Sequence, residues 1–107
     1  MQLDTPNLSY IQMLSDGDEE FETSMIAILK RELPVEKEAF VQSIQNKNYK
    51  NSAELVHKIK HKISILGLEK SYEFAVSFEE ALKNDDSSGY DTFMRILQNM
   101  EDFLTKI

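Results

Sequence analysis

Apolar residues recur at spacings of three and four along nearly the whole chain, which is the periodicity of a helix with one buried face. No segment alternates with the period of two that a half-buried strand would need. The pattern therefore predicts an all-α fold. Six helical segments are expected, at about 6–14, 18–33, 35–46, 53–66, 68–83 and 88–106.

Turn and cap residues separate these segments. Gly17 follows the first segment, and Gly67 stands where a helix C-terminal stop is usually found. Pro34 predicts a break or sharp boundary, because proline lacks the backbone N–H that a helix interior uses. Asn51 and Ser52 are the candidate N-caps for the fourth segment.

Each predicted helix has an apolar stripe that we expect to face a shared core. In the fourth segment this stripe leaves both histidines on the polar side. The residues expected to face inward are Leu8, Ile11, Leu14 or Met13, Phe21, Met25, Ile28, Leu29, Phe40, Val41, Ile44, Ala53, Val56, Ile59, Ile63, Leu66, Tyr72, Ala75, Phe78 or Phe74, Leu82, Phe93, Ile96, Leu97, Met100 and Leu104.

Short connections between these helices favour antiparallel neighbours. We expect an up-down antiparallel four-helix bundle with a short additional N-terminal helix or helices. At 107 residues the chain has room for one core, so residues 1–107 are interpreted as a single domain. With 41% hydrophobic residues and only three Gly and two Pro, the composition is that of a folded protein.

The charge and the absence of cysteine exclude several classes of function. A net charge of −7 opposes nonspecific binding to nucleic acid or to anionic membranes. No apolar run approaches the ~20 residues of a transmembrane helix, so a cytoplasmic location is expected. With no Cys, thiolate metal sites and cysteine nucleophiles are excluded. Within 47–70, however, six Lys face only two acids, and this basic stretch stands on an acidic background.

The sequence has no glycine-rich phosphate loop, nucleophile elbow or HExxH metal motif. An enzyme with its own complete catalytic centre, nucleotide site or cofactor is therefore not expected. The candidate chemistry lies in the fourth segment, where His57, Lys60, His61 and Ser64 follow the spacing i, i+3, i+4, i+7 and share one polar face. A neutral imidazole is a nitrogen nucleophile, and a Lys one turn away can neutralise a phosphoryl group.

The stretch AELVHKIKHKISILGL resembles the signature of histidine-containing phosphotransfer (HPt) domains, in which His-x-x-Lys is followed by small residues and then Leu-Gly. Here these elements are His57, Lys60, Leu66 and Gly67. The likeness extends to LSDGDEEFETSMIAILKREL, which resembles the first helices of the family, and to YEFAVSFEEALKNDD, which resembles the helix after its active one. Nearly the whole chain is covered.

The resemblance implies a phosphocarrier that relays phosphoryl groups between aspartates of receiver domains, in response regulators or hybrid histidine kinases. His57 would be the phosphoacceptor, Lys60 would stabilise the phosphoryl group, and Ser64 would support it. The receivers would supply Mg²⁺ and the acidic pocket, and a monomer would suffice. Apolar residues near the N-terminus that stay exposed beside His57 would form a receiver-docking patch; the candidates are Ile11, Leu14, Phe21 and Met25.

Two positions depart from the family pattern. His61 stands where the family usually has Gly, and Lys62 stands where it usually has a small residue. His61 has no Lys three residues later, so it is interpreted as a modulator and not as a second phosphoacceptor. Two alternatives stay open: an HPt-like adaptor that binds receivers without phosphorylation, and a metal-binding helical protein that uses Glu54, His57 and His61.

Overall fold

The computed structural model describes residues 2–107, and these residues form α-helices and no β-strand. The all-α prediction is confirmed. None of the helices is both long and apolar enough to cross a membrane. The five helices in this part of the chain are α1 (Ser9–Ser15), α2 (Glu19–Gln45), α3 (Tyr49–Ile65), α4 (Glu69–Lys83) and α5 (Tyr90–Thr105).

The predicted boundary at Pro34 is wrong, because the second and third predicted segments form one helix of 27 residues with Pro34 inside it. Proline removes only one backbone donor, the one that would serve the carbonyl of Lys30. Pro34 itself faces solvent, whereas Leu33 and Phe40 on either side of it are almost completely buried. Packing of this shared apolar face outweighs the local preference of proline.

The start of α3 also differs from the prediction, by four residues. Asn48 is the N-cap, and its side-chain oxygen accepts a hydrogen bond from the backbone N–H of Asn51 at 3.2 Å. The predicted caps Asn51 and Ser52 therefore lie inside the helix. The Ser52 hydroxyl is buried and lies 2.6 Å from the hydroxyl of Ser43, which joins the start of α3 to the end of α2.

The core lies between the four long helices. α2 packs against α3 and α5, α4 packs against α3 and α5, and α1 packs against α2. Phe40 of α2 is at the centre, with ring contacts to Phe78 of α4 and to Tyr90 and Phe93 of α5. The predicted stripes of α3 and α5 are confirmed, and that of α4 is confirmed except for Tyr72; the buried members are Ala53, Val56, Ile59, Ile63, Leu66, Ala75, Phe78, Leu82, Phe93, Ile96, Leu97, Met100 and Leu104.

The inward assignment is wrong for several residues of α1 and α2 and for one residue of α4. Adjacent helical positions point about 100° apart, so burial of Leu29 turns Ile28 toward solvent. The residues that were expected in the core but are substantially exposed are Met13, Leu14, Phe21, Ile28 and Tyr72.

The segment before α1 closes the end of the bundle where α3 meets α4. The N-cap residue of α4 is Leu68, which has no polar side chain, and Asp4 takes over its role. The Asp4 carboxylate accepts hydrogen bonds from the backbone N–H of Lys70 at 2.8 Å and from the Ser71 hydroxyl at 2.7 Å. Gly67 has φ of +74°, and a Cβ there would lie 2.6 Å from the Asn7 side chain. Gly67 therefore has both a conformational and a packing reason to be glycine.

Lys62 links α3 to α2 through ion pairs. Its ammonium group lies 3.0 Å from Glu32 and 3.1 Å from Glu36, and only 12% of its side chain is exposed. Burial by itself would lower the pKa of Lys62, but the hydrogen bonds to Glu32 and Glu36 outweigh it and hold the pKa above its ordinary value. Lys62, which departs from the HPt-like signature, thus links two helices.

We predict that Lys62→Met lowers the free energy of unfolding by about 3 kcal/mol, because Glu36 would stay buried without its cation. Urea unfolding at neutral pH measures this difference. The matched control is Lys58→Met, an exposed lysine of the same helix, for which we expect a change of less than ~0.5 kcal/mol. Equal losses in the two variants would contradict a linking role for Lys62.

Candidate functional site

His57 lies on the outward face of α3, because its neighbours Val56 and Ile59 are completely buried on the opposite side. The His57 side chain is 55% exposed. His57 therefore combines a fixed helical backbone with a ring that a second protein can reach.

Next to His57 Nδ1 lies Glu79, a carboxylate of α4 whose side chain is only 12% exposed. Its Oε2 lies 3.3 Å from His57 Nδ1, and its Oε1 lies 3.0 Å from Lys60 Nζ. Lys83, one turn later on α4, places its Nζ 3.5 Å from Oε2. One buried carboxylate thus joins a histidine and two lysines across the α3–α4 interface.

Glu79 remains ionised in this setting. Burial by itself would raise the pKa of Glu79, but the hydrogen bond and charge of Lys60, followed by those of His57, outweigh it and hold the pKa below its ordinary value. A carboxylate can only accept hydrogen bonds, so the contact with His57 requires that Nδ1 carries a proton.

This arrangement determines which nitrogen of His57 can react. When the imidazole is neutral and Nδ1–H donates to Glu79, the lone pair lies on Nε2. A carboxylate in this position also orients the ring and raises the basicity of the other nitrogen, as it does for metal-bound histidines. The pair is therefore arranged as a nucleophile with its orienting group.

Lys60 lies close to His57, as the sequence predicts, but its contact is with Glu79. Its side chain is 13% exposed, and its Nζ lies 6.0 Å from the centre of the Tyr72 ring. In this position Lys60 keeps Glu79 charged.

The other two predicted site residues, His61 and Ser64, lie on the same face of α3, and only His61 lies next to His57. His61 is exposed, and its ring meets the His57 ring edge-to-face with 5.2 Å between centroids. Ser64 is exposed one turn further on and lines a separate groove with Tyr10 and Tyr72. The structure therefore brings His61 to His57, whereas Ser64 belongs to a neighbouring surface.

A groove of about 420 Å³ opens beside His57 and is lined in part by Lys50, Glu54, Glu79 and Lys83. Lys50, Glu79 and Lys83 were not among the predicted site residues. Glu79 did leave a signal: it falls at i+4 from Ala75 and thus within the buried stripe of α4. A carboxylate in such a stripe requires a cation from a neighbouring helix.

The structure does not group the three ligands of the metal alternative. Among residues 2–107, no three His, Cys, Asp or Glu side chains are grouped so that they could hold a metal ion. Glu54, the third ligand of that hypothesis, lines the groove beside His57 but does not complete such a group.

The apolar residues considered for a docking patch fall into two sets. Ile11 is completely buried and Met25 is partly buried against the core. Leu14 and Phe21 are exposed by 45% and 41%, respectively. The exposed pair lies at the end of α1 and the start of α2.

Comparisons of the chain with protein-family models, with curated proteins and with solved structures find no match.

We predict that Glu79 makes the free energy of unfolding depend on pH in the acidic range. Because its folded pKa lies below the ordinary value of 4.5, its stabilisation is present above that pH and is lost as the pH falls through the folded pKa. Glu79→Gln should therefore be less stable than wild type at neutral pH, and the difference should shrink in acid. Urea unfolding over this pH range measures it.

The matched control for this experiment is Glu80→Gln, since Glu80 is the next residue and its side chain is 71% exposed. We expect its curve to follow that of the wild type. A stability gap for Glu79→Gln that stays constant with pH would contradict the ionised state assigned to Glu79.

Proposed function

We propose that this protein is a histidine phosphocarrier of the HPt type, which accepts a phosphoryl group on His57 Nε2 from an aspartyl-phosphate of one receiver domain and passes it to the aspartate of another. The observation that carries the proposal is the contact between His57 Nδ1 and the buried carboxylate of Glu79. The HPt-like signature around His57 supports it independently.

The proposed transfer balances without a cofactor on this chain. The lone pair of His57 Nε2 attacks phosphorus, the N–P bond forms, and the P–O bond to the receiver breaks with its electron pair leaving on the receiver carboxylate. The imidazole ring gains positive charge, which is shared with Nδ1–H and met by the Glu79 carboxylate. Transfer to the next receiver reverses these steps, and Mg²⁺ bound to the receiver neutralises the moving phosphoryl group.

Two lysines beside His57 would attract an acidic partner. Lys50 and Lys83 line the groove next to His57 together with Glu54 and Glu79, which offset part of their charge. Phosphoryl transfer depends mainly on positioning and on neutralising charge, so we infer that these two lysines help to hold an acidic receiver pocket against the groove.

Exposed apolar residues of α1 and α2 are a second proposed contact for the receiver. Met13 and Leu14 are exposed on α1, and Phe21 and Ile28 are exposed on α2. A receiver that reaches from His57 to these side chains would remove their apolar surface from water.

We also propose the up-down antiparallel four-helix bundle for α2 to α5, with α1 as the short addition. The order of contacts between α2 and α3 supports it: Ser52, early in α3, meets Ser43, whereas the later Lys62 meets Glu36. In such a bundle the monomer presents a complete site. A carrier of this kind works in the cytoplasm, where receiver domains reside.

The test is transfer from several receiver domains, each charged with a small phosphodonor, to the purified protein and its variants. We expect an acid-labile, base-stable label on wild type and on His61→Gln, and none on His57→Gln. Glu79→Gln should be labelled about tenfold more slowly, because the charge that stabilises the imidazolium is lost, whereas Glu80→Gln should match wild type.

Label that persists on His57→Gln would contradict the assignment of the phosphoacceptor. If no receiver labels the protein, but receivers bind wild type and His57→Gln equally well, the hypothesis of a phosphorylation-independent adaptor replaces that of a phosphocarrier.

A further inference from the structure

His57 and His61 form a pair of exposed imidazoles on adjacent turns of α3, with 5.2 Å between ring centroids. Histidines at i and i+4 on one helix face are a recurrent arrangement for binding a transition-metal ion. The proposed phosphocarrier function uses only one member of the pair. The second imidazole, at a position where the HPt signature usually has glycine, has no role in that chemistry.

The spacing of the rings fits one shared metal ion. Zinc binds imidazole nitrogen at about 2.0–2.1 Å with tetrahedral angles. Two imidazoles that share a zinc ion in this geometry hold their ring centroids roughly 5 Å apart, because each centroid lies ~3.2 Å from the metal. The observed separation agrees with this value.

Glu79 supplies the outer hydrogen bond that metal-binding histidines use. Such a histidine almost always donates its second ring N–H to a carboxylate, a carbonyl or water, which orients the ring and raises its basicity. His57 Nδ1 lies 3.3 Å from Glu79 Oε2, so the same contact that leaves Nε2 free for phosphorus leaves it free for a metal.

The surrounding charges and the number of protein ligands determine how tightly the site would hold a metal ion. Lys60 and Lys83 both contact Glu79, whose carboxylate offsets part of their positive charge. Two protein ligands leave the remaining positions of a tetrahedral ion to water, so binding is reversible and weaker than in closed four-ligand sites.

We propose that His57 and His61 together bind one zinc-class divalent transition-metal ion through their exposed ring nitrogens. Because the metal and the phosphoryl group require the same lone pair of His57, bound zinc excludes phosphorylation. Metal binding by itself does not depend on the proposed phosphocarrier function, whereas its inhibitory effect does.

The binding test is calorimetric titration of the metal-free protein with ZnCl₂ at about pH 7.5, where an ordinary imidazole is mostly neutral. We expect one Zn²⁺ per chain. Glu79→Gln should weaken binding by ~10-fold or more, and His61→Gln, which removes a ligand itself, by at least as much. Glu80→Gln is the matched control and should bind as wild type does.

Circular dichroism of each variant establishes that the helices are intact, which is expected because His61 is exposed. Absence of binding at about millimolar Zn²⁺, or equal binding by wild type and His61→Gln, would overturn the proposal.

The inhibition test adds ZnCl₂ to the protein before a charged receiver is supplied. We expect zinc to slow the labelling of wild type and to leave the labelling of His61→Gln unchanged. Slower labelling of both proteins would instead indicate that zinc acts on the receiver. If zinc binds but no receiver labels the protein without zinc, the metal site stands and the phosphocarrier proposal fails. If receivers label the protein but zinc does not bind, the phosphocarrier proposal stands and the metal site is excluded.

Discussion

A buried carboxylate between two helices is the interaction on which the site depends. Glu79 would be costly to bury alone, and Lys60 makes its burial possible by meeting it across the α3–α4 interface at 3.0 Å. This pair holds α3 and α4 at the relative position that brings His57 Nδ1 over the same carboxylate. The backbone turn at Gly67, with Asp4 acting as cap for α4, maintains that position from the end of the bundle.

Ion pairs on both flanks of α3 leave its outer face free for chemistry. On one flank Lys60 meets Glu79 of α4, and on the other Lys62 meets Glu32 and Glu36 of α2. The lysines that make these contacts are mostly buried, so they act within the structure more than on its surface. His57 remains 55% exposed, and its Nδ1 is the ring nitrogen that contacts the carboxylate.

Local sequence patterns were sufficient for the helices whose apolar stripes are regular. The stripes of α3 and α5 could be read directly, and they correctly placed His57 and His61 on the polar face. The continuation of α2 through Pro34 could not be predicted, because it depends on burial of Leu33 and Phe40 against other helices.

The role of Glu79 lay outside local sequence reasoning for a similar reason. Glu79 is 22 residues from His57, and only the packing of α4 on α3 brings the two together. Its position in the buried stripe of α4 marked it as a carboxylate in need of a cation, but it did not identify the partner. The HPt-like signature named His57 and Lys60, whereas the carboxylate that connects them required the three-dimensional structure.

The central claim is that Glu79 holds the proton of neutral His57 on Nδ1 and so leaves Nε2 as the nucleophile. The most direct measurement is a long-range ¹H–¹⁵N correlation spectrum of the histidine side chains, recorded at a pH where the imidazoles are neutral. The account predicts that His57 shows a protonated Nδ1 and an unprotonated Nε2, and that Glu79→Gln weakens this preference while Glu80→Gln preserves it. A wild-type spectrum with the proton on Nε2 of His57, or one unchanged by Glu79→Gln, would contradict the account.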